Sequence, residues 1–368
     1  MKPKKVIFFF PYIDYGGVEK NFFKVANFFS KKELNVFLCT SSIKNKSLLE
    51  KNIKLLNPKI NIKRNLNKKI FYLISILKLV NFLINNRDSI VFSFQANIYC
   101  ILICKILGVK VIIRSNTSPI GWEHNFIKNK IYNFLIKLSN CVIVNSNDFK
   151  KQFDNKFGIK STCILNPFDK KEIIKLSKVK NNLSFSYKKT FKIINIGRLT
   201  DQKDQITILK AFNLIKNKNN FELIIVGSGP EEKKLKKYLV EKKISKKNVR
   251  ISNYNKNPYS LLKQSNIFVL SSKYEGLPNV LLEAISLKKF IISTKCPTGP
   301  NEIIKNNKNG IFFKIGNYKD LHKKILYLKN NPKLLKNKKM QSVSSNILKK
   351  YDPSINLMKY YQIINKLK

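Results

Sequence analysis

At 368 residues with 43% apolar side chains, the chain has the length for two domains, each with its own core, and an ordinary globular composition. A formal net charge of +51 taken alone would point to nucleic acid or an anionic membrane. However, Lys, Asn, Ile and Phe, which share AT-rich codons, are all in excess, and the cations are spread along both halves, so nucleic-acid binding is set aside. The cysteines (Cys39, Cys100, Cys104, Cys141, Cys163 and Cys296) form no CxxC pair and lie mostly in apolar runs, as in a reduced cytoplasmic core, and with His124 and His322 as the whole histidine content a protein-built zinc site is not expected.

The first predicted strand, Lys5 to Phe10, starts almost at Met1 and leaves no room for a cleavable signal peptide. Gly16-Gly17 and a helix-like run from Asn21 to Phe29 follow it, and two glycines allow backbone to approach an anion closely. Short apolar runs at Val36–Cys39, Ser89–Phe94, Val109–Ile113, Cys141–Val144 and Thr162–Leu165 alternate with helical stretches, the pattern of an α/β domain on a mostly parallel sheet. Phe71 to Ile84 is the most apolar helical stretch, yet it is too short to span a bilayer and holds Lys78 and Asn81. It reads as a helix on a Rossmann-like sheet, compatible with a membrane-surface role in which Lys63, Arg64, Lys68, Lys69 and Lys78 meet anionic headgroups. Arg114-Ser-Asn116 follows one strand and so belongs to the carboxyl edge of the sheet. Asn166-Pro167 closes a first domain, residues 1–167, and residues 170 to 190 read as a polar, exposed connection.

A second domain, 168–350, supplies its first strand at Phe191. Gly197 ends that strand, and Arg198 and Lys203 lie in the loop before a helix at Asp204, so two cations converge where a diphosphate would be neutralised. Phe221–Val226 runs into Gly227-Ser-Gly229-Pro230, where a tight turn and a ligand contact are equally good readings, and Val249 to Tyr254 is a short strand and loop. Ile267–Ser271 and Phe290–Ser293 are apolar runs of buried-strand length enclosing Pro278 and a helix-forming stretch from Val280 to Leu287. In such a strand–loop–helix–strand unit the loop holding Glu275 lies at the ligand-binding edge. Glu283 falls one and a half turns into the helix and looks back toward the same crevice. An unpaired charge within Val-Leu-Leu-Glu-Ala-Ile would be costly, so Glu283 is read as functional. Residues 351–368 form an amphipathic C-terminal helix.

Glu275-Gly276-Leu277-Pro-Asn-Val-Leu-Leu-Glu283 resembles the Glu-x7-Glu motif of retaining, nucleotide-sugar-dependent glycosyltransferases of family 4. With the loop Cys-Pro-Thr-Gly299-Pro-Asn-Glu302, the resemblance extends over nearly the whole chain. It implies a GT-B architecture: two Rossmann-like doubly wound α/β domains with an interdomain cleft, the terminal helix crossing back to the first. It also implies that Glu275 contacts the transferred sugar and Glu283 the ribose, that Gly197-Arg198 and Lys203 hold the diphosphate, and that Gly16, Gly17 and Gly299 lie near the donor, with Glu302 capping the following helix. Arg114 and Asn116 would stand on the acceptor side, Asn116 where many relatives have a His. The implied substrates are a nucleoside-diphosphate sugar and a glycan or polyprenyl-linked acceptor of bacterial surface polysaccharide, in the cytoplasm or on the inner membrane face, with no cofactor and no metal. A sugar-nucleotide epimerase lacks Glu-x7-Glu, and a phosphorylase needs a cofactor lysine and a longer chain. An RNA-binding protein would need stacked aromatics on a basic face, and a dehydrogenase Gly-x-Gly-x-x-Gly after the first strand.

Overall fold

The computed structural model describes residues 5–367 apart from Tyr15, Glu33, Asn45, 57–67, 117–125, 181–182, Lys188 and 254–256. Lys63, Arg64 and His124 therefore lie outside the described residues, as does the loop beyond Asn116. The chain forms two compact units, one made of residues 1–167 and 353–368, the other of 168–352.

The first unit contains β1 (Lys5–Phe9), β2 (Tyr12–Ile13), β3 (Asn35–Cys39), β4 (Ser42–Ile43), β5 (Lys54–Leu55), β6 (Ile90–Ser93), β7 (Lys110–Arg114), β8 (Cys141–Val144) and β9 (Thr162–Cys163). Its main sheet is parallel in the order β5-β3-β1-β6-β7-β8-β9. Helices cover both faces, which is why β6 is buried at every residue and reads as an unbroken apolar run. One face carries a phenylalanine-rich core in which the Phe8 ring meets Phe22, Phe29, Phe92 and Phe94 at 5.5–6.0 Å. The C-terminal helix, Pro353–Lys366, adds Tyr360 and Ile364 to the same core.

The second unit contains β10 (Phe191–Ile196), β11 (Phe221–Val226), β12 (Val249–Ser252), β13 (Ile267–Leu270), β14 (Phe290–Thr294) and β15 (Gly310–Phe313), parallel in the order β12-β11-β10-β13-β14-β15. The chain therefore leaves β10 toward one edge, returns, and leaves β13 toward the other. The reversal falls between β10 and β13, and at their carboxyl ends open α/β sheets bind ligands.

Residues 170–190 are largely exposed, as expected, but they are more than a plain connection. Asp169 caps a helix, Lys170–Leu176, by accepting the amides of Lys171 and Glu172 at 2.8 and 3.1 Å, and Ile173 and Phe185 are buried. The fully buried Glu222 carboxylate accepts the amides of Ser186 and Tyr187 at 2.7 and 2.9 Å and pairs with Arg250 at 3.3 Å. The lysine-rich composition had hidden a segment anchored to the sheet by backbone donors.

Candidate functional site

The loops after β10, β11, β13 and β14 interlock at the carboxyl edge of the second sheet. Glycine makes the first contact possible. A Cβ on Gly227 would sit 1.9 Å from the Gly197 carbonyl oxygen, and one on Gly229 2.2 Å from that of Leu199. The two loops can lie against each other only where both positions lack side chains. For Gly227-Ser-Gly229 the packing role is therefore the one the structure supports. Gln205 Nε2 donates to the Arg198 carbonyl at 2.9 Å, fixing the same loop from the helix side. Arg198 is exposed, and among the described residues its guanidinium enters no ion pair.

The loops after β10 and β13 are joined by three further bonds. Ser271 Oγ donates to the Lys203 carbonyl at 2.7 Å, the Lys273 amide to Gln202 O at 2.8 Å, and Gln202 Nε2 to Tyr274 O at 2.8 Å. Between them lies Glu275, 5% exposed, whose Oε1 receives Lys203 Nζ at 2.5 Å and Ser272 Oγ at 2.6 Å. Lys203 is thus the partner of Glu275 in this state, and not a second free cation beside Arg198. The charge-assisted pair aims one carboxylate from a loop floor, where it can accept hydroxyl protons.

The loop after β14 locks the other side. Thr298 Oγ1 donates to the Glu275 carbonyl, and Thr294 Oγ1 to that of Ser272 at 2.6 Å. Gly299 has φ +87°, and a Cβ there would lie 2.5 Å from the Gly276 carbonyl oxygen; both its backbone conformation and the close approach demand glycine. Gly299, not Glu302, is the N-cap of the short helix Pro300–Ile303; Glu302 lies in its first turn. Buried Leu277 and Pro278 lead into the helix Asn279–Ser286, whose fifth residue is Glu283.

Glu283 is 7% exposed and accepts the Tyr259 hydroxyl at 3.1 Å. Sequence reasoning missed Tyr259, a buried residue from a different helix, Tyr259–Gln264; an isolated tyrosine in an apolar run reads simply as core. Cys296, also near Glu275, is no nucleophile: burial, and then the Glu275 charge, push its thiol up to about 12. All six cysteines are free. Among the described residues no group of three His, Cys, Asp or Glu side chains is arranged to hold a metal.

In the first unit the sheet reverses between β1 and β6, and Gly16 and Gly17 follow β1 at that point. Gly16 is the extended N-cap of the helix Gly17–Ser30. Asn116 is half-buried and donates to the Phe94 carbonyl at 3.2 Å. Arg114 corrects the expectation of an acceptor contact. It is 0% exposed, its Nη2 donates to Asn166 Oδ1 at 2.5 Å, and its guanidinium lies over the Phe94 ring at 5.4 Å. In this conformation Arg114 braces the interior. Lys78 also differs from its expected role: it donates to the Leu56 carbonyl at 3.0 Å, and burial lowers its pKa.

Two parallel, doubly wound α/β units, one with paired buried carboxylates at its switch point, define the GT-B architecture. Residues 179–345, within the second unit, match the family model described as Glycosyl transferases group 1. The chain is 37% identical over 219 residues to an uncharacterized glycosyltransferase of Methanocaldococcus jannaschii, covering 55% of this chain and 53% of that protein. It is 30% identical over 205 residues to the poly(ribitol-phosphate) alpha-N-acetylglucosaminyltransferase of Staphylococcus aureus, covering 55% and 41%. The chain thus spans about half the length of these relatives. The fold is similar over the full length to Anabaena HepE crystallised with UDP and glucose, with a TM-score of 0.81, 16% identity, and 99% and 100% of the two chains covered.

Proposed function

We propose that the protein is a retaining glycosyltransferase that moves a sugar from a nucleoside-diphosphate donor, UDP- or GDP-linked, to a glycan or polyprenyl-linked glycan of bacterial surface-polysaccharide synthesis. The observation that carries this reading is the pair of buried carboxylates, Glu275 and Glu283, held by Lys203 and Tyr259 at the switch point of the second sheet. A carboxylate there accepts the hydroxyl protons of a polyol, Glu275 those of the transferred sugar and Glu283 those of the ribose. Arg198, presented by the glycine-packed loop, takes the diphosphate, and Lys203 stands beside it. The donor's bond from the anomeric carbon to the diphosphate oxygen breaks on the face from which the acceptor oxygen attacks. The acceptor's proton passes to the departing diphosphate, and the cations stabilise the developing negative charge. No covalent sugar–enzyme bond is formed, in keeping with a protonated Cys296. The acceptor is met by the first unit, at the inner face of the cell membrane.

The test is incubation with a panel of nucleotide sugars, following nucleotide release and slow donor hydrolysis, with and without EDTA. Release of UDP or GDP that is unaffected by the chelator is expected, because cationic side chains take the place of a metal on the diphosphate. No release from any donor, or a complete loss in EDTA that magnesium restores, overturns the corresponding part of the reading.

A further inference from the structure

Three helices of the first unit, Lys68–Ile84, Asn97–Ile106 and Phe126–Lys137, lie side by side on one face of its sheet. They share a core through Leu79, Leu83, Cys100, Ile101, Cys104 and Ile136. Residues two places from these inward positions point about 200° away, at about 100° per residue, and on an ordinary surface helix they are polar. Here they are apolar. Leu77 is 61% exposed, two residues before Leu79; Leu102 is 45%, two after Cys100; Ile106 is 74%, two after Cys104; Phe134 is 65%, two before Ile136. Leu73 at 57% and Ile131 at 50% extend the stripes on the first and third helices. Three adjacent helices thus turn leucine, isoleucine and phenylalanine outward together, an arrangement larger than the scattered apolar residues of a normal surface.

The charged side chains of these helices have one sign. The three helices contain seven lysines and no Asp or Glu. Lys69, Lys105, Lys130 and Lys137 are exposed. Among the described residues no helix is long and apolar enough to cross a membrane. An apolar face on helices that carry lysine and no Asp or Glu suits a layer that is itself apolar beneath and anionic on top.

We infer that the outward face of these three helices is a docking surface that lays the first unit on an anionic lipid bilayer, with Leu73, Leu77, Leu102, Ile106 and Phe134 entering the headgroup boundary and the lysines engaging lipid phosphates. The inference deepens the membrane part of the proposed function. It also moves the contact away from Lys78, which is bonded internally, to a surface built from three helices.

The full chain is mixed with vesicles of phosphatidylglycerol and phosphatidylcholine, or of phosphatidylcholine alone, and sedimented. Binding is expected to the anionic vesicles at low salt and to weaken toward about 1 M NaCl, where the screening length is only about 3 Å. Replacing Leu73, Leu77, Leu102, Ile106 and Phe134 together by Ser is expected to weaken partitioning more than about tenfold, since burial of one leucine alone has that effect. Lys69, Lys105, Lys130 and Lys137→Gln, a change confined to exposed positions, is expected to abolish the preference for phosphatidylglycerol. Wild-type protein that ignores anionic vesicles at low salt overturns the inference, as does serine-variant binding equal to wild type. A dimer in light scattering that the serine substitutions abolish, with no vesicle binding, would assign the face to a second copy and likewise overturn it. Donor hydrolysis is measured in the same samples: vesicle binding without hydrolysis leaves the docking surface standing and refutes the transferase reading, and hydrolysis without vesicle binding does the reverse.

Discussion

Removing Lys203 tests whether its pair with Glu275 carries both architecture and chemistry. Glu275 is 5% exposed and receives two side-chain donors on one oxygen, Lys203 at 2.5 Å and Ser272 at 2.6 Å. Lys203→Met keeps the aliphatic stem and leaves a buried carboxylate with the serine alone. Breaking a buried pair in this way costs about 3–5 kcal/mol, whereas replacing both partners by neutral groups is close to neutral. At about 2–4 °C per kcal/mol for a unit of this size, the melting transition of the second unit is expected to fall by roughly 6–20 °C. Glu275→Gln should cost less, because the remaining Lys203 side chain is 18% exposed and can reach water. The double variant, Lys203→Met with Glu275→Gln, should recover most of the lost stability, and the cycle of four proteins yields the coupling directly. Nucleotide release from the donor should stay low in all three variants, because stability returns without the groups that meet the sugar and diphosphate. Calorimetry and nucleotide release on the same preparations provide the two readouts. A Lys203→Met protein that melts within a degree or so of wild type would refute the structural half of the argument. A double variant that regains turnover along with stability would refute the functional half.

Four further outcomes are expected. Tyr259→Phe removes a hydrogen bond to a charged group, worth about 1.5–3 kcal/mol, so the KM for the nucleotide sugar should rise about tenfold to a hundredfold with kcat nearly unchanged; Glu283→Ala should lose at least as much donor affinity by calorimetric titration, and unchanged affinity in a folded Glu283→Ala protein removes the ribose assignment. Gly229→Ala places a Cβ 2.2 Å from the Leu199 carbonyl oxygen at φ +159°, and should cost about 1–3 kcal/mol as an overpacked site while weakening donor binding through the displaced Arg198 loop; wild-type melting and affinity would show that the loop yields freely. Burial lowers Lys289 from 10.5 to about 8 although its Nζ donates to the Lys263 and Ser265 carbonyls at 2.6 and 2.7 Å; because the unfolded chain then binds more protons than the folded one, stability should rise as pH goes from about 8 toward 10.5, relative to a Lys289→Met variant in which that increment is absent from the melting curve.

How much of this was legible in the amino-acid sequence differs from element to element. β13, the loop with Glu275, the helix with Glu283 and β14 could be read directly, because a strand buried on both faces must be an unbroken apolar run and Pro278 can stand only at a helix start. The two-unit α/β class followed from the same alternation of apolar runs and helical stretches. The paired carboxylates were legible as residues, because burying Glu283 among leucines is costly unless it has work to do. Their partners were not. Lys203 reads identically as a diphosphate ligand and as the counter-ion of Glu275, and only the interlocked loops after β10 and β13 bring it to 2.5 Å. Tyr259 lies on another helix, and its hydroxyl meets Glu283 through packing that no local spacing encodes. Arg114 and Lys78 show the same limit for cations: a side chain's charge says nothing of whether the folded chain turns it to solvent or spends it on a buried amide or carbonyl. The outward apolar face of the first unit is the converse case. Hydropathy marked Phe71–Ile84 alone, and only the packing of three helices against one sheet decided which of their apolar residues were left for water.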